Sequence, residues 1–465
     1  MKAPAGVGLL ALLLAACSQT PAPPGHDVAV PPAWTAPPSA NGEPVYAHWW
    51  RAFGSTELDG LVGRAERDSY QLQAAEARLR QAEANLRISG AALRPSLNGS
   101  LDYTRQSRLG GSAEVDGTAY TSGLLASYEV DLRGRLRALQ ASARAQWQAS
   151  AYDRDALRLS LTAEVADTWL EQAGLGERQR IAALNLETAQ RVLDTLESRY
   201  RAGSALPLDV AQQRSLVAGQ RRDLREIEQA GVDARARLAV LLGSALPGLA
   251  LGAPNLDSLR WPRIDSGVPS QLLARRPDIA AAEARLRAAD ADLAAARAAF
   301  FPQLTLSAGV GTEAEHWHDL LANPLGNLAA GLTAPLFSGG RLSGERDQAQ
   351  GLRDEAVADY RQALIQALGE VEQALNAIQG LEARLAAQQE QTRAADQALR
   401  LAESRYRAGA EDVLTLLDTQ RTLYSAQDAE AALRQARLQA SVTLYRVLGG
   451  GWRDEPLPGG QDAQR

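Results

Sequence analysis

The chain has 465 residues, 45% of them hydrophobic, with 49 Lys and Arg against 55 Asp and Glu and a formal net charge of −6. That near balance, slightly acidic, lacks the basic face that nucleic acids require, so no nucleic-acid partner is expected. A single cysteine excludes an intramolecular disulfide, and after the N-terminal segment no run is apolar enough for a transmembrane helix, so a membrane-crossing mature chain would have to be a closed barrel.

The N-terminus reads as a targeting segment. Lys2 supplies a positive end, Val7 to Leu14 is apolar but short, and Leu14-Ala15-Ala16-Cys17 resembles a bacterial lipobox. Residues 1–16 are therefore expected to be a lipoprotein signal peptide, with an N-acyl and S-diacylglycerol lipid on Cys17. No other cofactor is expected. Ser18, rather than aspartate, after the cysteine favours the outer membrane, and residues 17–45, rich in proline, read as an extended tether.

The mature chain then says one thing twice. Ala74 to Arg80 recurs letter for letter as Ala281 to Arg287, and Glu197 to Gly203 recurs as Glu403 to Gly409. Both pairs have an offset of about 206 residues, which marks a duplicated unit. The first repeat is expected over 46–265 and the second over 266–448, leaving 449–465 as a tail.

Each repeat carries two stretches of period two. Leu97, Leu101 and Tyr103 alternate with Asn98, Ser100 and Asp102, and Tyr120, Leu124, Tyr128 and Val130 alternate with Thr121, Ser127 and Glu129, Leu125 being an exception. In the second repeat Leu304, Leu306 and Val310 alternate with Thr305 and Ser307, and Leu328, Leu332 and Leu336 with Asn327 and Thr333. Strands are expected at about 95–105, 120–132, 302–312 and 326–337, apolar on one face, as in a membrane barrel. Four strands cannot close a barrel in lipid, so the chain must oligomerise if they span; a trimer would supply twelve.

Long helices follow each strand pair. Leu186, Ala189, Leu193, Leu196 and Tyr200 step by three and four, as do Tyr360, Leu364, Leu368, Val371 and Leu375, which is a coiled-coil seam. Gly203 and Gly409 punctuate tight turns at about 199–208 and 405–414, after which a helix returns.

These residues resemble the TolC-type outer-membrane efflux factors, in the lipid-anchored branch of OprM- and NodT-like proteins. The carrying motifs are the lipobox at Cys17, Trp49-Trp50 with Phe53, Arg275-Arg276-Pro277-Asp278-Ile279, Phe301-Pro302-Gln303-Leu304 and Leu336-Phe337-Ser338-Gly339-Gly340. Arg405-Tyr406-Arg407-Ala408-Gly409 with Leu414 to Asp418, and Tyr445 to Trp452, complete them.

The resemblance implies a mainly helical fold with a barrel portion: a homotrimer with a twelve-stranded outer-membrane barrel continuous with a periplasmic helical tunnel. It implies a passive exit duct, not an enzyme, that takes multidrug or other solutes from an inner-membrane resistance–nodulation–division pump through a periplasmic adaptor. Outer-membrane lipid would surround the barrel.

By the same resemblance Leu414 and Asp418 would form the periplasmic gate. Arg199, Tyr200 and Gly203 of one tip, with Arg405, Tyr406, Arg407 and Gly409 of the other, would meet the adaptor. Thr415 stands where the family pattern has a second aspartate and Glu411 where it has an arginine, although Tyr406 is kept. His316 and His318 read as an exposed loop pair rather than a metal site, and no nucleotide loop or catalytic triad is found. The rival readings are a structural coiled-coil lipoprotein and a periplasmic adaptor. Neither needs two helical hairpins that each flank a strand pair.

Overall fold

A computed structural model describes residues 28–35, 42–112, 117–245, 251–252 and 256–454. The signal segment 1–16, Cys17, most of the tether and residues 455–465 lie outside the described residues.

The duplication is visible as two runs of the same elements. The first is α2 (Tyr70–Ala91), β1 (Ser96–Gln106), β2 (Gly117–Val130), α3 (Arg135–Arg201) and α4 (Pro207–Leu241), preceded by α1 (Thr56–Asp68). The second is α5 (Pro277–Ala298), β3 (Gln303–Ala314), β4 (Leu325–Thr333), α6 (Arg341–Arg407) and α7 (Val413–Val447). Corresponding helices have equal lengths: 22 residues in α2 and α5, 67 in α3 and α6, and 35 in α4 and α7. At 1.5 Å per residue each long helix reaches about 100 Å. No helix among the described residues is long and apolar enough to cross a membrane.

The strands form one antiparallel sheet in the order β1-β2-β3-β4, and among the described residues neither outer edge is paired. The register places Leu97, Leu101, Tyr103, Leu124, Tyr128, Leu306, Val310, Leu328 and Leu332 on one face. Most of these are exposed, because nothing among the described residues covers that face. The other face is polar or small apart from Leu125, in a row with Asn98, Gly309 and Asn327, and Leu325 at the start of β4, opposite Gly311. Tyr103 and Tyr120 pair at 5.0 Å at the end far from the helices, and Arg133 covers Phe301 at 4.2 Å at the near end. From Tyr120 to Tyr128 the strand climbs roughly 26 Å, or about 20 Å across a bilayer at the usual tilt, close to the apolar band of an outer-membrane barrel.

The fourth strand is shorter than its alternation suggests. It ends at Thr333, not near 337. Pro335 has no amide to donate to a ladder, and Gly339 and Gly340, both at positive φ, then turn the chain into α6.

The largest core lies at mid-height, where Trp49, Trp50, Phe53, Trp169, Leu170, Leu364 and Tyr445 pack together. Trp49 stacks on Tyr445 at 5.1 Å. Three successive glycines, 449 to 451, all have positive φ as the chain leaves α7. A Cβ on Gly449 would lie 1.8 Å from the Arg275 carbonyl oxygen, so the close approach there requires glycine. Trp452 follows and donates its indole N–H to Asp155 Oδ2 at 3.0 Å. Beside it Arg276 opens α5: the residue is 7% exposed, and its guanidinium reaches Asp278, Glu370 and the Val447 carbonyl.

Candidate functional site

The two ends of the hairpins are built alike. α3 and α6 end on left-handed Gly203 (φ 73) and Gly409 (φ 72). In each, the amide after the glycine donates back five residues: Ser204 to the Arg199 carbonyl at 2.8 Å, Ala410 to the Arg405 carbonyl at 2.9 Å. This closes the last carbonyls of the helix in a Schellman turn. The return helices are capped by carboxylates. Asp209 Oδ2 accepts from the Leu206 amide at 3.1 Å with Pro207 in the first turn, and Asp412 Oδ1 accepts from the Thr415 amide at 2.8 Å. The bond from the Thr415 amide holds the Asp412 carboxyl below its ordinary range.

Leu414 and Asp418, expected at the gate, lie one turn apart on α7 and both are exposed, Leu414 by 57%. The tip residues divide differently. Tyr200 is exposed on the first tip. Arg405 pairs with Glu411 at 3.0 Å and Arg407 with Glu403 at 3.0 Å, both within the second tip. Glu411 also accepts from the Thr415 hydroxyl at 3.2 Å. The positions that depart from the family pattern are thus bonded to each other and to Arg405.

Tyr406 is engaged from the other hairpin. The Arg199 guanidinium lies 4.8 Å from the centre of its ring, a cation–π contact that joins the end of α3 to the end of α6. Sequence reading placed both residues at the tips but did not pair them.

Two further features escaped it. Higher up, Arg178 on α3 makes a bidentate pair with Asp428 on α7, at 2.7 and 2.9 Å. Between these two ties α7 carries Gln420 and Tyr424, both buried. Burial, with the nearby Glu403, pushes the Tyr424 hydroxyl up to about 12. Near mid-height, burial and then the charges of Glu171 and Glu164 push the Asp167 carboxyl up to about 6.

His316 and His318 sit in the loop between β3 and β4 with ring centres 5.5 Å apart. Among the described residues no group of three or more His, Cys, Asp or Glu side chains could hold a metal ion.

Comparison with known proteins bears directly on this architecture. The family described as "Outer membrane efflux protein" matches residues 61–244 and 268–450, one match per repeat. The pyoverdine export outer membrane protein OpmQ of Pseudomonas aeruginosa is 47% identical over 454 residues, 96% of each chain. The toluene efflux pump outer membrane protein TtgC of Pseudomonas putida is 32% identical over 98% of this chain and 97% of its own. Among solved structures the outer-membrane channel OprN superposes with a TM-score of 0.84 at 30% identity, covering 92% of this chain and 98% of its own. The open state of the Neisseria gonorrhoeae MtrE outer membrane channel does so at 0.81 and 29%, covering 91% and 98%. The chain belongs to the outer membrane efflux protein family, and its two hairpins and exposed sheet are those of a passive outer-membrane efflux channel.

Proposed function

We propose that three copies of the chain close their sheets into one barrel and their hairpins into one periplasmic tunnel, held to the outer membrane by a lipid on Cys17 and surrounded there by lipid. The observation that carries this is the four-stranded sheet, which among the described residues has an exposed apolar face and two unpaired edges. Open edges and unsatisfied backbone are not tolerated in lipid, and three sheets of four strands reach the size of a closed barrel.

The tips point toward the pump side and meet a periplasmic adaptor through the exposed ends around Tyr200, Gly203, Arg407 and Gly409. Solute reaches them from an inner-membrane pump, for which the resistance–nodulation–division class remains our assignment. Leu414 and Asp418 line the constriction, and three Asp418 carboxylates around one axis make it acidic. Double substitution Asp418→Ala, Leu414→Ala should raise single-channel conductance in planar bilayers, and unchanged conductance would remove the gate assignment.

The cargo class is suggested by the relative that shares 47% identity along nearly its whole length and is named for pyoverdine export. Pyoverdine, or a secreted compound like it, is the first cargo to test. The chain expressed in place of OpmQ should restore pyoverdine in the culture medium, and no restoration with the protein present in the outer membrane would argue for another cargo.

A further inference from the structure

Toward the tips, α7 packs in two directions at once. Val413, Leu417 and Tyr424 enter the core of the first hairpin with Leu193, Leu196 and Val217, whereas Leu416, Leu423 and Ala426 pack on Leu399 and Ala402 of α6. Gln420 stands on α7 between these apolar sets. It is 0% exposed, as is Gln213 on α4, and Tyr424 is 5% exposed. Gln213 donates to the Ala189 carbonyl at 2.6 Å. Among the described residues, however, neither amide atom of Gln420, nor the Gln213 side-chain oxygen, nor the Tyr424 hydroxyl has a hydrogen-bond partner.

Both glutamines are fully covered within one chain, so a neighbouring copy cannot supply the missing partners. A buried amide without partners costs free energy in the packed state, and it regains its hydrogen bonds when the surfaces part and water enters. A leucine would fill nearly the same volume without that cost. The seam is also flanked by solvent: a groove of 430 Å3, lined by both charged and apolar side chains, opens between the hairpins beside Tyr424, at the level of the Arg178–Asp428 pair.

We propose that Gln420, together with Tyr424 and Gln213, is a gate-positioning residue: its unpaired amide loosens the closed seam between the hairpins, so that α7 leaves the first hairpin readily when the duct opens. The seam is held by the Arg178–Asp428 pair above and the Arg199–Tyr406 contact at the tip, and it is weakest between them. The proposal rests on the reading of the tips as a gate.

The test uses the full-length channel in detergent, with Gln420→Leu and, separately, Tyr424→Phe. Hydrogen–deuterium exchange is read on peptides covering 413–428, and conductance is recorded in planar bilayers. Removing an unpaired buried amide should slow exchange in that segment by about tenfold and lower the frequency of open events. Tyr424→Phe should act in the same direction, more weakly. Exchange that is unchanged or faster in both variants, with assembly size intact, overturns the proposal whatever the conductance does. Slower exchange together with a Leu414 and Asp418 double variant that leaves conductance alone supports the weak seam and places the failure in the gate reading.

Discussion

Arg276 ties the second repeat together, and its removal should be measurable. Its guanidinium bonds Asp278 at 2.6 and 3.0 Å, Glu370 at 2.8 Å and the Val447 carbonyl at 3.2 Å, so one side chain joins the start of α5 to α6 and the end of α7. Breaking a buried ion pair by deleting one partner costs about 3–5 kcal/mol. Here the arginine side chain is 9% exposed but the two carboxylates are 46% and 39% exposed, so water recovers part of their solvation. About 2–3 kcal/mol is the expected cost of Arg276→Met. With an unfolding entropy of roughly 2 cal/mol/K per residue, the chain carries on the order of 1 kcal/mol/K, so the melting midpoint should fall by about 2–3 °C. The assay is helical circular dichroism against temperature in detergent, at pH 7.5 and at pH 3. Burial pushes the Asp278 carboxyl up, but the bonds and charge of Arg276 outweigh this and leave it below its ordinary 3.8. A depressed carboxyl stabilises the fold above that ordinary value and loses the contribution as pH falls through its lower folded value. The gap between the two proteins should therefore narrow at pH 3. A gap of equal size at both pH values, or none at pH 7.5, would refute the reasoning.

Two further outcomes follow from other parts of the molecule. Asp167, pushed up to about 6 first by burial and then by Glu171 and Glu164, favours the folded state in its protonated form; that contribution is complete below 3.8 and is lost as pH rises through about 6. Asp167→Asn should then melt higher than the unmodified chain at pH 8 and match it near pH 4, and a difference that ignores pH would contradict the assignment. Gly449→Ala should abolish assembly of folded channel, since its Cβ would meet the Arg275 carbonyl oxygen at 1.8 Å, whereas Gly176→Ala, with nothing within 4 Å, should fold normally and gain up to about 1 kcal/mol; gel mobility of unheated samples separates the two.

Much of this fold could be read from local pattern. Repeated heptapeptides announced the duplication, period-two stretches located all four strands, and Gly203 and Gly409 marked both tips. Where reading stopped short, the deciding partner was far away in the chain. Nothing around Tyr406 signals that Arg199 will lie on its ring, and nothing around Asp428 signals Arg178, 250 residues earlier. Gln213 and Gln420 look like ordinary solvated helix positions, since their burial depends on which hairpins meet. Side-chain alternation after Leu325 persists past Thr333 and so overstates the strand, because Pro335 breaks the backbone ladder there. Family likeness alone points to Leu414 and Asp418, which no local pattern distinguishes, and the structure adds that Glu411 and Thr415 are bonded to each other.

The matched helix lengths have a mechanical consequence. Two rods of 67 residues, each folded back by one of 35, deliver both tips to the same depth. Each half is the other's measuring stick. Lengthening one rod by a heptad would lower its tip by about 10 Å and leave the mouth uneven. Changes of reach must therefore occur in both halves together, which ties the evolution of this tube's length to its ancient doubling.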